Sequence, residues 1–280
     1  MSISFTVTQK ERLTELNAAP ALLDKAFNDE KERNKYFLKI EKEYVKANRQ
    51  KLKNILNNKH LPDSLIVQMD LQNWLTEELG FTQVQTPTII SSSMLDKMTI
   101  TKDNPLYEQV FWLDSKKCLR PMLAPNLYVI MREVLRISNE PVKIFEVGSC
   151  FRKESQGAQH MNEFTMLNMV EVASVEEGKQ MERLEYIARE AMKAVGITDY
   201  ELVREESTVY GETLDVVVDG IEVGSGSYGP HTLDAKWNFF DVWVGFGFGI
   251  ERLALVKNKY QTIKRIGRST AFLDGIPLNI

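Results

Sequence analysis

Along the chain the spacing of apolar residues changes several times and so marks out elements. Over 29–56, Phe37, Ile40, Tyr44, Leu52 and Ile55 recur at roughly helical spacing while seven lysines are spread over the other positions. This predicts an amphipathic, basic helix or helix pair. Asn57-Asn58 and Leu61-Pro62 break it, and Asp63 or Ser64 then caps a second helix through Leu65, Met69, Trp74 and Leu79, stopped by Gly80. A boundary near residue 60 follows, with a helical extension over 1–60 and a core over 61–280.

Beyond Gly80 the period shortens to that of strands. Residues 81–86 alternate and stop at Pro87, which cannot donate to a ladder and belongs at an edge or bend. Short strand candidates at 110–113 and 118–120 flank the turn Asp114-Ser115-Lys116-Lys117. Pro125 opens a helix in its first turn, with Ala124, Leu127, Tyr128 and Met131 on one face. A strand then runs out to Cys150-Phe151-Arg152-Lys153-Glu154, turns through a polar loop and returns from Glu163 to Val172. A helix over 176–194 turns Leu184, Ile187, Ala191 and Met192 inward. Residues 214–218 and 221–223 form a hairpin on Asp219-Gly220, the pair that suits a type I′ turn. Strands joined mostly by hairpins, with a few long helices, predict an α+β fold with an antiparallel sheet covered on one side.

Charge and cysteine content narrow the classes. A formal net charge of −4 argues against a chain that coats nucleic acid indiscriminately. The cations nevertheless cluster between Lys31 and Lys59, where they suit either a solvated helix face or contacts to phosphates. Cys118 and Cys150 lack a CxxC partner, and His160 and His231 have no ligand spacing, so a zinc site is not expected. No run reaches the ~20 apolar residues of a membrane span, and residues 1–10 do not read as a signal peptide. The expectation is a soluble, cytoplasmic protein with reduced thiols.

The candidate chemistry sits on strand faces. Alternation places Phe164, Met166, Asn168 and Val170 on one face of the return strand, and Cys150, Arg152 and Glu154 together on the outgoing one. Such a surface offers a permanent forked cation for phosphoryl oxygens and an aromatic plate for a purine. Glu222 and Ser225 offer oxygen ligands for Mg²⁺; three residues apart they point to opposite faces unless Gly224 and Gly226 permit a bulge. Gly245, Gly247 and Gly249 alternate, leaving bare backbone for a ligand before Ile250-Glu251-Arg252 leads into a helix. No βαβ unit accompanies these glycines, so they are not a dinucleotide fingerprint.

Pro87 after a long helix, Phe151-Arg152-Lys153-Glu154 with Glu163-Phe164, and Gly247-Phe248-Gly249-Ile250-Glu251-Arg252 together resemble the three motifs of the class II aminoacyl-tRNA synthetases. Within that class the run from Leu119 to Tyr128, the run from Glu163 to Asn168, Tyr210-Gly211-Glu212-Thr213-Leu214-Asp215 and Gly229-Pro230 resemble the pyrrolysyl family. The resemblance covers essentially the whole chain and implies the stand-alone catalytic form, without the separate small tRNA-binding domain that some members carry. It implies ATP and Mg²⁺ as cofactors, pyrrolysine or a related Nε-acyl lysine as amino acid, and tRNA(Pyl) as acceptor.

Carried over by position, the resemblance implies that Arg152 holds the α-phosphate and the substrate carboxylate, while Glu154 and His160 touch the nucleotide. Phe164 would stack on adenine, Arg252 would hold the γ-phosphate, and Glu222 with Ser225 would hold Mg²⁺. Arg152, Glu154 and Arg252 are the catalytic set. The implied amino-acid pocket comprises Ala124, Leu127, Tyr128, Met131, Asn168, Val170, Tyr210, Trp243 and Gly245, with Asn168 reading the side-chain carbonyl and Tyr210 closing over the ring. Ser227, Tyr228 and Phe246 depart from the family pattern and bear on pocket volume. Lys39, Lys42, Lys46 and Arg49 are expected on tRNA phosphates, and the helix over 63–79 with the strand ending at Pro87 is expected to form a twofold dimer. The competing expectations are another class II synthetase, phenylalanyl-like, and a synthetase paralogue that binds without catalysis.

Overall fold

A computed structural model of the chain describes residues 2–138, 140–154, 160–207 and 209–280. It divides into two compact units, one of residues 1–62 with 264–280 and one of residues 63–263. The C-terminal residues therefore pack with the N-terminal ones, whereas the sequence division left them in the core. Arg265 supplies the reason. Its nearly buried guanidinium donates to the carbonyls of Thr14 and Glu15 and to Asn17 Oδ1, satisfying groups at the end of the helix Val7–Glu15.

In that first unit the basic segment is one helix, Glu30–Asn57, capped by Asp29, whose side chain accepts from Glu32 N. Tyr36, Phe37, Ile40 and Tyr44 pack on Phe5, Leu13, Ala18 and Phe27. Lys31, Lys35, Lys39, Lys42, Lys46, Arg49 and Lys53 are all exposed. At 100° per residue they fall within an arc of about 80°, in a stripe roughly 33 Å long.

The second unit is built on a seven-stranded sheet. Its strands are β1 (Thr82–Gln83), β2 (Val142–Phe151), β3 (Glu163–Val172), β4 (Glu201–Ser207), β5 (Gly211–Val218), β6 (Ile221–Gly229) and β7 (Trp243–Gly249), in the order β1-β2-β3-β7-β6-β5-β4. All neighbours are antiparallel except β1, which runs parallel to β2. The β5–β6 turn has positive φ at both Asp219 and Gly220, as a type I′ turn demands.

Local expectations fared unevenly. The strand over 81–86 shrinks to two residues, because the Thr86 backbone N–H finds the Glu146 carboxylate in place of a ladder carbonyl. Residues 110–113 hold only a bridge between Trp112 and Cys118, and Lys117–Leu119 pairs with Ile89–Ser91 outside the main sheet. On the helix Asp63–Asn73 the buried residues are Val67 and Leu71, continued by Trp74 and Leu75 in a π-turn, while Leu65 and Met69 are exposed.

One sheet face packs against the helices Gln180–Ala194 and Ile250–Lys257, burying Phe246 and Phe248 with Leu214 and Val216. The other face is not bare, contrary to the single-sided expectation. The helix Ala124–Ile137 lays Leu127, Tyr128 and Met131 against Ile144, Val170, Val172 and Trp243. What remains open on that face is a cavity.

A buried ion pair fixes its rim. Glu146, fully buried on β2, accepts from Arg120 Nη1 at 2.7 Å, from Thr86 N at 3.0 Å and from Thr86 Oγ1 at 2.6 Å. Arg120 Nε donates to Ser149 O, and Asn126 Nδ2 donates to Thr86 Oγ1 and Pro87 O. A Cβ at Gly148 would stand 2.1 Å from Arg120 Nη2, so the clamp needs glycine there. Removing one partner strands a buried charge, and Glu146→Ala should lower unfolding free energy by about 3–5 kcal/mol. Equilibrium denaturation measures this; a loss below about 1 kcal/mol would mean the pair is dispensable.

Candidate active site

Strand register sets the side chains of the open face in rows. One row runs Ile144, Val170, Gly245, Ser227; the next runs Glu146, Asn168, Gly247, Ser225, Asp215; the third runs Gly148, Met166, Gly249. A cavity of about 300 Å³ opens over them. Arg152, Glu154, His160, Phe164, Glu222, Ser225 and Arg252 line it, as do Ala124, Leu127, Tyr128, Met131, Asn168, Val170, Tyr210, Trp243 and Gly245. The two groups of residues that the resemblance implies thus share one space.

Arginine 152 follows the last residue of β2. Its Nε donates to Pro121 O at 2.9 Å, and its guanidinium lies 5.2 Å from the centre of the Phe164 ring. Burial pulls its pKa below the ordinary value, with Arg252 adding to the fall, so the cation is short of solvation and suited to an incoming anion. Glu154 stands 4.0 Å from His160. The loop expected between the two strands falls on 155–159, outside the described residues. Cys150 pairs in register with Phe164 yet does not reach the cavity; its thiol is fully buried, which pushes its pKa up to about 12.

The β5–β6 ladder slips between Glu222 and Gly224. That bulge brings Glu222 and Ser225 to one side, where both line the cavity. Ser225 Oγ donates to Asp215 Oδ1 at 2.6 Å, a carboxylate that the sequence reading passed over. With its proton committed there, the serine oxygen is free to offer lone pairs to a cation. Enclosure raises the Glu222 pKa above its usual value, against the opposing pull of Arg252. Arg252 Nη1 donates to Glu222 O at 3.0 Å and lies 3.8 Å from its carboxylate, so this arginine has a protein partner that the sequence did not reveal. Among the described residues no cluster of three or more His, Cys, Asp or Glu is arranged to hold a metal. The donor set fits a hard cation that takes most of its ligands from phosphates and water.

The helix bearing Arg252 is tied down by Glu251, whose two carboxylate oxygens accept from Thr165 N at 3.0 and 2.8 Å. A Cβ at Gly247 would stand 3.0 Å from Asn168 Oδ1, so the glycine leaves the amide approachable. Of the three departures from the family pattern, only Ser227 turns its side chain to the cavity. Phe246 stacks on Phe248 on the opposite face, and the Tyr228 hydroxyl donates to Glu212 Oε2. Leu106, Met122, Met161 and Val209 also line the space. Met122, Met161 and Val209 lie on irregular segments and Leu106 on the short helix Pro105–Gln109, where no periodicity points at them.

The family model of the tRNA synthetases class II core domain (F) matches residues 51–274, and the chain belongs to the class II aminoacyl-tRNA synthetases, the aminoacyl-tRNA ligases of this fold. It is similar to the crystal structure of pyrrolysyl-tRNA synthetase from Desulfitobacterium hafniense, with 48% identity, a TM-score of 0.91 and all of both chains covered. A second structure of that organism's enzyme matches at 48% identity and a TM-score of 0.90, over 100% of this chain and 99% of the other. More distant likeness reaches the O-phosphoserine–tRNA(Cys) ligase of Methanocorpusculum labreanum, 24% identical over 58% of this chain and 32% of the relative. The phenylalanine–tRNA ligase alpha subunit of Malacoplasma penetrans is 24% identical over 61% of this chain and 55% of the relative. The chain thus spans between a third and about half of the length of these distant relatives.

Proposed function

We propose that the protein activates pyrrolysine, or a closely related Nε-acyl lysine, with ATP and transfers it to tRNA(Pyl) through an aminoacyl-adenylate. The observation that carries the reading is Asn168. Its amide faces a space walled by Ala124, Leu127, Tyr128, Met131, Val170 and Trp243, in the same strand row as Ser225. An amide there donates to the carbonyl of an acylated lysine. A phenylalanine ring would strand it, at a cost of roughly 1–3 kcal/mol, and a free ammonium would enter an apolar site unpaired.

In this reading adenine stacks on Phe164, with Glu154 and His160 at its edge. Arg152 bridges the α-phosphate and the substrate carboxylate, and Arg252 leaves Glu222 for the γ-phosphate. The carboxylate oxygen attacks the α-phosphorus, the bond to the bridging oxygen breaks, and pyrophosphate departs with its electron pair. Positioning and charge neutralisation suffice, so no nucleophilic side chain is required. Mg²⁺ held by Glu222 and Ser225 with the phosphates would neutralise charge on the leaving group. The terminal ribose hydroxyl of the tRNA then attacks the acyl carbon and AMP leaves. A synthetase paralogue without catalysis is disfavoured because Arg152, Glu154, Glu222 and Arg252 all line one cavity. A reducing cytoplasm suits the two free, buried cysteines.

ATP–pyrophosphate exchange tests this. Wild-type protein should exchange with pyrrolysine and simple Nε-acyl lysines and be poor with lysine and phenylalanine, and Asn168→Ala should lose about tenfold or more in kcat/KM for the acyl lysines. Exchange with phenylalanine as fast as with pyrrolysine would move the phenylalanyl-like reading ahead.

The cation stripe on the helix Glu30–Asn57 is read as a tRNA phosphate contact, since seven cations aligned on one exposed face follow a backbone better than they serve the helix itself. Replacing Lys39, Lys42, Lys46 and Arg49 by alanine should weaken tRNA binding and flatten its salt dependence while leaving amino-acid activation intact. An unchanged salt slope would reduce the stripe to a solvated face.

Leu65, Ile66 and Met69, each about two-fifths exposed on the helix Asp63–Asn73, are read as the homodimer surface. Light scattering should return twice the mass of one chain at micromolar concentration, and a monomer would refute the interface.

A further inference from the structure

We propose that Asp234 is a specificity-positioning residue: its carboxylate holds Tyr128 and Trp243 in one orientation and thereby sets the shape of the acyl end of the amino-acid pocket. The inference rests on the reading of this cavity as an acyl-lysine site. Asp234 is 1% exposed and stands behind the two aromatic walls, on the short turn Thr232–Trp237. Its Oδ1 accepts from the Tyr128 hydroxyl at 2.7 Å, and its Oδ2 accepts from Trp243 Nε1 at 2.8 Å and from His231 N at 2.6 Å. Among the described residues no ion pair includes it, so neutral donors alone compensate this buried carboxylate. Burying a charge in that way is costly, and a stability role is better served by an apolar residue. Two of its three donors are instead pocket walls.

The neighbourhood is shaped for this arrangement. A Cβ at Gly229 would come within 1.9 Å of Trp243 Nε1 and 2.6 Å of Asp234 Oδ2, so any larger residue there breaks the bond. Trp237 stacks on the far side of Tyr128 at 5.1 Å and 9°, while Trp243 meets the Tyr128 ring edge-on at 5.9 Å and 78°. Without the carboxylate the ring planes would still pack, but nothing polar would select one rotation of the indole or one tilt of the phenol. Burial, reinforced by Asp234, also keeps the Tyr128 phenol neutral. With that proton donated backwards, Tyr128 presents ring surface to the substrate, and the polar reading of the acyl group falls to Asn168.

Two variants and one spectroscopic signal test the proposal. Asp234→Asn keeps the volume but turns one acceptor into a donor, and Tyr128→Phe keeps the ring while removing one bond. In ATP–pyrophosphate exchange, both should raise KM for an Nε-acyl lysine bearing a five-membered ring by about tenfold, with KM for ATP within twofold of wild type. The preference for that substrate over Nε-acetyl-lysine should fall by a similar factor. The double variant should be little worse than Asp234→Asn alone, because both changes remove the same anchor. The Trp243 indole N–H resonance, displaced downfield by its carboxylate partner, should move upfield in Asp234→Asn and stay in Tyr128→Phe. If Asp234→Asn fails to fold, Tyr128→Phe still decides by its KM and selectivity. Unchanged selectivity in the folded variants, or equal loss for every substrate and for ATP, overturns the proposal. Failure of the wild type to use any acyl lysine would instead overturn the functional reading.

Discussion

The position of Arg152 traces back to the Arg120–Glu146 pair. Glu146 is the one residue of β2 that reaches off the sheet to replace a strand: its carboxylate takes the Thr86 N–H that a longer β1 would have bonded. Arg120 answers that charge and, through its own backbone, accepts from Phe151 N, the final residue of β2. The next carbonyl along, that of Pro121, receives Arg152 Nε. Arg152 is therefore placed by two consecutive residues whose position a buried charge pair secures. In a dry interior such a pair is high-stakes, since either half alone costs several kcal/mol. That expense is the physical reason the segment has a single arrangement, and Asn126 extends it by binding the first turn of the pocket helix to Pro87 O.

On this frame the site is written in strand register. Glycine at 245, 247 and 249 removes side chains from the central strand, leaving a furrow between Asn168 and Val170 on one flank and Ser225 and Ser227 on the other. The compensating bulk lies on the opposite face, where Phe246 and Phe248 fill the space over Gly226 and Gly224. Open furrow and packed core are thus one alternation seen from two sides. A Cβ at Gly247 would crowd the Asn168 amide, and one at Gly224 or Gly226 would strike the Phe248 or Phe246 ring.

How much of this could be read in the chain depended on whether local period carried the information. Alternation located Phe164, Asn168 and Val170 on one face, and the Asp219-Gly220 pair located its hairpin, because both are backbone properties of adjacent residues. Local pattern failed where a tertiary partner decided the outcome. The strand before Pro87 ended early because a side chain 60 positions away took its hydrogen bond. Leu65 and Met69 fit the helical period but face outward, while Val67 and Leu71 face the core. Asp215, Glu251 and Asp234 carry no periodic signal, and each matters through the donors it accepts from.

Those three carboxylates share a logic that separates scaffold from recognition. Asp215 takes the Ser225 proton, Glu251 takes the Thr165 N–H, and Asp234 takes the Tyr128 and Trp243 donors. Each bond commits a donor before any ligand arrives. The Asn168 amide, Arg152 and Arg252 line the cavity beside them. Arg252 is held by Glu222, and Arg152 is short of solvation beside Phe164. A site so arranged is already oriented in the free protein, so less of the binding energy goes into ordering side chains and more remains for the charge that develops in the transition state.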